Sequence, residues 1–367
     1  MDALTLLSGD ARTFRQEVWA SRVHLHRREP DSLVWLLSLE AVDRLLTGFA
    51  LRTPAVRLVQ DGSVLPASAY TRRASTAGEP LTGLLDVGKV LERYRGGATV
   101  VLQGLQRFWP PLTALVRDLE LALGHPCQAN AYLTPPGAQG FARHSDTHDV
   151  FVVQTHGSKR WTIDDEDVVL EPGMVAYLPT GTPHSARTQE GSSLHVTIGI
   201  NRLTWRALLG RIVTEALGSG EYDAPLPAGY LDDPSLLSRA LAGRLETLAR
   251  VIGTTEPDTA AEQSIDRFLT SRQTLVDGGL LDTETQLDDG TLLERRAGSV
   301  CVLRPGPDRL KVLLGDRELR LPSHLLPALE LVRDHVSWKV GELPLDEQSR
   351  LVLARRLLRE GLVRVAR

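Results

Sequence analysis

A chain of 367 residues with 42% hydrophobic content exceeds one ordinary domain and can fill real cores, so two or three domains are expected. A formal charge of −4 argues against a general nucleic-acid binder, and no apolar run is long enough to span a bilayer. The opening Met1-Asp-Ala-Leu-Thr5 lacks the basic and apolar blocks of a signal peptide; Cys127 and Cys301 lie far apart and read as free thiols, so a cytoplasmic protein is expected.

In chain order, residues 10–20 read as a helix opened by Asp10, with Phe14, Val18 and Trp19 on one face. His24-Leu-His26 alternates like a strand; with no carboxylate or thiol at ligand spacing, its histidines read as structural. Residues 32–48 carry a helical leucine pattern, 55–58 begin a strand that leads to the turn Asp61-Gly62, and 87–94 and 111–123 are further helices. Cys127, alone before a strand, reads as a small buried residue rather than a metal ligand. Residues 149–155, 159–163, 167–170, 174–178 and 193–200 are β-branched or alternating segments, punctuated by the turns His156-Gly-Ser158 and Glu171-Pro-Gly173. Many short strands between Gly/Pro turns predict a double-sheet jelly roll of cupin type, decorated with helices, over residues 1–202.

Within that run, His144-Ser-Asp146 is followed forty positions later by His184 in the turn Leu178-Pro-Thr-Gly-Thr-Pro-His184. On an extended strand, residues two apart share a face, so His144 and Asp146 are expected to point together into the barrel, with His184 brought alongside by intervening strands. Two imidazoles and a carboxylate on one face of an octahedral ion are the ligand set of open-sited non-haem Fe(II) oxygenases. An HxD triplet alone carries no information in a chain this long; its strand context and Lys159 do. Lys159 opens the strand after the Gly157 turn, where a cation could anchor the distal carboxylate of 2-oxoglutarate. The plainer reading is a solvent-facing lysine beside Arg160.

The segment from Asn130-Ala-Tyr132 through His144-Ser-Asp146, then His148-Asp-Val-Phe-Val-Val-Gln154, Gly157-Ser-Lys159-Arg-Trp161, Leu170-Glu-Pro-Gly173, Tyr177 to His184 and Ser193-Leu-His-Val-Thr197 resembles the JmjC domain of ribosomal oxygenases. The resemblance implies an α+β protein built on a double-stranded β-helix (jelly roll, cupin/JmjC) with flanking helices. It implies Fe(II) on His144, Asp146 and His184, the 2-oxoglutarate C5 carboxylate on Lys159, and Asn130, Tyr132 and either Ser193 or Thr197 lining the same pocket. One departure is visible: the family's Pro-Gly-Asp turn reads Pro-Gly-Met174, a local turn difference at a position that is not a ligand.

Beyond Arg202, residues 205–217 are helical, 225–229 form a loop, and Leu236, Leu237, Ala240, Leu241, Leu245, Leu248 and Ile252 repeat at helical spacing. Residues 254–259 read as a linker before another helix that ends near Val276. The position of the stripe resembles the family's helical dimerisation module, which places that domain at 203–275 and implies a homodimer. The last segment, 276–367, mixes strands at 291–296, 300–304 and 310–314 with helices at 325–336 and 346–360 and a closing strand at 361–365. It resembles the winged-helix domain that ends the family. Arg355, Arg356 and Arg359 could form a phosphate-facing strip, yet residues 300–367 hold thirteen basic against nine acidic side chains, an excess too slight to favour DNA over a solvated helix face.

These readings predict an Fe(II)/2-oxoglutarate-dependent oxygenase acting on a protein or peptide side chain. The resemblance implies a His or Arg of a ribosomal protein, with Asn-x-Tyr leaning toward the members that act on histidine. A peptide natural product is the alternative substrate. A cupin module without turnover, or a regulator that senses through the jelly roll and reads DNA with the winged helix, would be the non-enzymatic alternatives.

Overall fold

The computed structural model describes residues 2–273, 276–306 and 308–367. The chain divides into two compact units, Met1–Arg202 and Leu203–Arg367.

The first unit is a sandwich with a helical coat. Its helices are α1 (Ala3–Ser8), α2 (Ala11–Thr13), α3 (Leu39–Gly48), α4 (Val87–Arg95) and α5 (Pro110–Leu123). Its strands are β1 (His24–Arg27), β2 (Val56–Gln60), β3 (Ser63–Val64), β4 (Ala74–Thr76), β5 (Glu79–Leu81), β6 (Thr99–Leu102), β7 (Cys127–Thr134), β8 (Asp149–His156), β9 (Lys159–Ile163), β10 (Glu166–Leu170), β11 (Met174–Leu178), β12 (His184–Thr188) and β13 (Ser193–Ile200). The large sheet runs β1-β11-β8-β13-β7-β6-β2-β3 and the small one β10-β9-β12, while β4 and β5 pair as a separate hairpin.

Alternation along the central strands sorts side chains between two environments. Phe151 and Val153 of β8, and Leu194, Val196, Ile198 and Ile200 of β13, join the core beneath the helices. Val150 and Val152 turn the other way and meet Trp161, Ile163 and Leu178 between the sheets. Both faces of β8 are therefore buried, which is why its sequence reads as an almost unbroken apolar run. Asp149, 0% exposed at the start of β8, accepts hydrogen bonds from the Tyr177 hydroxyl at 2.7 Å and from Thr180 N and Oγ1 at 2.8 and 2.7 Å. It thereby ties the segment after the HxD triplet to the loop before His184.

Several expectations change in detail. The helix expected over 10–20 is α2, capped by Asp10, running into a π-turn at Phe14–Val18. The single helix expected over 32–48 is two: a 3-10 helix at Pro30–Leu36, then α3, because Ser38 adopts an extended backbone and caps Ala41. His144 and Asp146 lie outside the named strands, in a loop held by isolated bridges at Gln139, Phe141 and His144, and His184, expected in a turn, is the first residue of β12.

The second unit opens with α6 (Trp205–Ala216), α7 (Pro234–Gly253) and α8 (Pro257–Leu269), followed by the short α9 (Gly279–Thr283). The expected linker at 254–259 is shorter, because Pro257 opens α8, and α8 stops at Leu269 rather than near Val276. Next come β14 (Leu292–Arg295), β15 (Val302–Pro305), β16 (Arg309–Leu313), β17 (Glu318–Pro322), α10 (Leu326–Asp334), β18 (Ser337–Lys339), α11 (Glu347–Arg359) and β19 (Val363–Val365). The expected helix at 325–336 ends two residues early, at Asp334, and β18 follows it; β17 had no expected counterpart. Two three-stranded sheets, β18-β14-β19 and β15-β16-β17, enclose with α10 and α11 a core around Trp338, Leu329 and Leu357.

Candidate metal centre and co-substrate cavity

His144, Asp146 and His184 converge: one ligand atom from each lies within 4.8 Å of the others. The bridge that aligns them is reciprocal, with His144 N donating to His184 O at 3.0 Å and His184 N to His144 O at 2.8 Å. Each ring is then oriented by a carbonyl two residues upstream, His144 Nδ1 by Ala142 O at 2.8 Å and His184 Nδ1 by Thr182 O at 3.0 Å. Those contacts place the proton on Nδ1 and leave Nε2 as the free lone pair. The two Nε2 atoms face opposite oxygens of one carboxylate, His144 at 3.9 Å from Asp146 Oδ1 and His184 at 3.7 Å from Oδ2. Burial, followed by the neighbouring His144, lowers the pKa of His184, which keeps its lone pair available. Three donors on one side, with both rings pre-aligned, fit a divalent ion that keeps open positions for other ligands.

The centre opens into a cavity of about 730 Å³ between the two sheets. At its closed end is Lys159, which is 2% exposed. Its Nζ donates to Thr134 Oγ1 at 3.0 Å, and burial with no compensating carboxylate brings its pKa down to about 7. The solvent-facing reading of this lysine is overturned. Its neighbour Arg160 takes the exposed face of β9, as strand alternation requires.

Asn130, Tyr132 and Thr197 line the same cavity. Asn130 Oδ1 accepts a hydrogen bond from Gly104 N at 3.0 Å, so its amide nitrogen is the group left for a ligand. Tyr132 is pushed to a higher pKa by burial and remains a neutral phenol. Ser193 takes a different place: it is buried opposite Thr134, and its Oγ accepts from Gln154 Nε2 at 2.8 Å, away from the cavity-lining set. Among the lining residues not singled out from sequence are His195, Trp161 and Arg57. His195 was legible, since it shares the inward face of β13 with Thr197. Arg57 was not, because β2 is distant in sequence and reaches the site only through β6 and β7.

A two-sheet β-helix with a His-x-Asp…His centre at its mouth and a buried lysine beyond it defines a JmjC-type cupin fold. The JmjC domain family matches this chain over residues 107–168 and 164–208. The chain is 31% identical over 230 residues to the bifunctional lysine-specific demethylase and histidyl-hydroxylase NO66 of Branchiostoma floridae, covering 58% of this chain and 38% of that protein. It is 27% identical over 301 residues to ribosomal oxygenase 1 of Danio rerio, covering 70% and 54%. The chain thus spans about half or less of the length of these curated relatives. Among solved structures, the ribosomal oxygenase YcfD from Escherichia coli superposes with a TM-score of 0.60 at 19% identity, over 98% of both chains. Another structure of that protein, in complex with cobalt and 2-oxoglutarate, gives 0.57 at 18% identity, over 97% and 98%. Residues 107–208 thus carry a JmjC domain, and the chain is similar to the JmjC-domain ribosomal oxygenases.

Proposed function

We propose that this protein is an Fe(II)- and 2-oxoglutarate-dependent oxygenase that hydroxylates a protein side chain. The observation that carries the reading is the pairing, in one cavity, of a three-donor metal face with a buried lysine that has no counter-ion among the described residues. A dicarboxylate that chelates the metal at one end satisfies that ammonium at the other. When bound, iron with 2-oxoglutarate and O2 supplies the oxidant for C–H hydroxylation, with release of succinate and CO2. The chain's own residues do the rest. His144, Asp146 and His184 hold the ion, Lys159 takes the C5 carboxylate, Asn130 and Tyr132 offer hydrogen bonds, and Trp161, Val150 and Val152 keep water from the reacting centre.

The substrate we favour is a histidine of a ribosomal protein, with arginine second. Asp146 is the single carboxylate among the cavity's lining residues, and it is committed to the metal, whereas Arg57, Arg107 and Lys159 are cationic. A guanidinium would meet repulsion and no partner, while a neutral imidazole would not. We assign the catalytic domain to residues 1–202, a dimerisation domain to 203–275 and a winged-helix-like domain to 276–367. The homodimer is supported by α6, α7 and α8, which together contribute no buried residue although Trp205, Leu209, Leu241 and Leu245 are all more than half exposed. No helix among the described residues is long and apolar enough to cross a membrane; we place the protein in the cytoplasm, at the ribosome.

The test is succinate release with Fe(II), 2-oxoglutarate and O2, followed by mass spectrometry of ribosomal proteins for a +16 Da shift that disappears on deletion. No succinate above a metal-free control would refute the oxygenase; a shift on arginine alone would refute the preference for histidine.

A further inference from the structure

Paired residues of β7 and β13 form a ladder, two rungs of which line the cavity. Thr134 stands opposite Ser193, Tyr132 opposite His195 and Asn130 opposite Thr197. Lys159 donates to Thr134 and so marks that rung. His195 occupies the next rung, about 7 Å along the strand, on the way toward the metal centre.

His195 is 3% exposed and held on two sides. Its ring stacks on Tyr132 with centroids 4.9 Å apart and planes 4° from parallel, and it meets Trp161 edge-on at 5.3 Å. Nδ1 is sealed from solvent without a hydrogen-bond partner, while the ring itself lines the cavity. Burial first, then the neighbouring Lys159, holds its pKa well below that of a free imidazole, so the ring is neutral and carries one proton. A sealed N–H without an acceptor is the rarer and costlier state of a buried nitrogen. The proton therefore belongs on Nε2, the nitrogen able to donate into the cavity.

We propose that His195 binds the co-substrate directly, its Nε2–H donating to the same distal carboxylate that the Lys159 ammonium pairs with. The inference rests on the 2-oxoglutarate reading above. A carboxylate has about four acceptor positions, and one ammonium already bonded to Thr134 leaves room for a second donor. A neutral donor suits that place, because an imidazolium one rung away would repel Lys159. Stacking on Tyr132 fixes the ring before the ligand arrives, so little ordering remains to be done on binding.

The experiment is titration calorimetry of the full-length protein loaded with Mn(II), using 2-oxoglutarate and, separately, oxalate, which chelates the metal without reaching Lys159. His195→Phe keeps an aromatic ring on Tyr132 and removes the donor. We expect it to weaken 2-oxoglutarate about ten- to hundred-fold, the range for one hydrogen bond to a charged group, and to leave oxalate within about twofold. His195→Gln, which restores an N–H, should recover part of the 2-oxoglutarate affinity. If Phe does not fold, as judged by melting and by Mn(II) stoichiometry, His195→Leu makes the same comparison. Unchanged 2-oxoglutarate binding, or equal loss of both ligands, would overturn the proposal. A wild-type protein that binds oxalate but not 2-oxoglutarate would instead overturn the co-substrate reading on which it rests.

Discussion

His144 and His184, forty positions apart in the chain, exchange two backbone hydrogen bonds, at 3.0 and 2.8 Å, and their ring centroids stand 4.4 Å apart. The isolated bridge does for the metal site what a full strand does elsewhere: it fixes two side chains on one face. Because the pairing is made by backbone, it is independent of the metal, and the donors are arrayed before any ion arrives.

Removing one donor should therefore empty the site without unfolding the barrel. His144 and Asp146 have side chains 41% and 30% exposed and anchor no core. His144→Ala and Asp146→Ala are expected to lose bound metal and at least about a thousandfold of turnover, while the melting temperature of the metal-free protein shifts by no more than about 2 °C, as for surface changes of under about 0.5 kcal/mol. Metal analysis beside a thermal scan checks both halves. Wild-type turnover in either variant would end the assignment.

Lys159 gives the co-substrate a pH dependence of defined sign. In the free protein its pKa is brought down to about 7 by burial. Binding of a dicarboxylate stabilises the ammonium and raises that value, so binding takes up a proton above neutrality. Affinity for 2-oxoglutarate should be greatest at and below about pH 7 and fall about tenfold per pH unit above it, up to the pKa of the complex. Lys159→Met should bind at least about a hundredfold more weakly, with no such slope between pH 7 and 9. The same substitution removes a buried group that has no counter-ion, so the ligand-free protein should become more stable, by about 1–3 kcal/mol. Calorimetric titration at several pH values measures the slope, and a flat wild-type profile would contradict the assignment.

How much of this was legible in the sequence depended on locality. Strands β8, β9, β11 and β13 announced themselves by β-branched, apolar or alternating content between flanking turns, and the spacing of His144, Asp146 and Lys159 carried the chemistry with it. Strand β12 did not, because His184-Ser-Ala-Arg-Thr188 has no apolar alternation and becomes a strand by pairing with β9. The break at Ser38 was hidden inside a leucine pattern that continues through it, since hydrophobic periodicity reports burial and not the backbone angle of a cap. Arg57 was out of reach altogether, because only the sheet order brings β2 near the metal.

The turn that aims Lys159 into the cavity rests on Gly157. Its φ is +59°, and a Cβ built there would lie 1.9 Å from Ser192 O, a backbone atom of the neighbouring loop. Gly157→Ala must therefore shift β9 or the 192–193 segment as well as hold a left-handed alanine. A loss of about 3 kcal/mol or more is expected, with weakened 2-oxoglutarate binding in whatever fraction remains folded. Gly78→Ala, at φ +85° with open space around the added methyl, supplies the control and should cost only about 1–2 kcal/mol. Equal denaturation midpoints for the two variants would show that the contact with Ser192 is not a constraint.

Helix α7 poses the remaining question of assembly. Twenty residues long, it buries none of its side chains within the chain, and Leu241 and Leu245, one turn apart on the same face, are 51% and 55% exposed. An amphipathic helix of this length gains most of its stability from packing its apolar face, so a second copy is the cover expected for it. Leu241→Glu combined with Leu245→Glu would place two carboxylates on that face, where an interface would desolvate them. Sedimentation or light scattering should give twice the 40.3 kDa chain mass for the wild type and the single-chain mass for the double variant. Because the metal donors and Lys159 all lie in the first unit, the monomeric variant should keep its metal and its affinity for 2-oxoglutarate. A wild type that runs as a monomer at micromolar concentration would remove the dimer, and loss of metal in the double variant would mean that the catalytic unit depends on assembly.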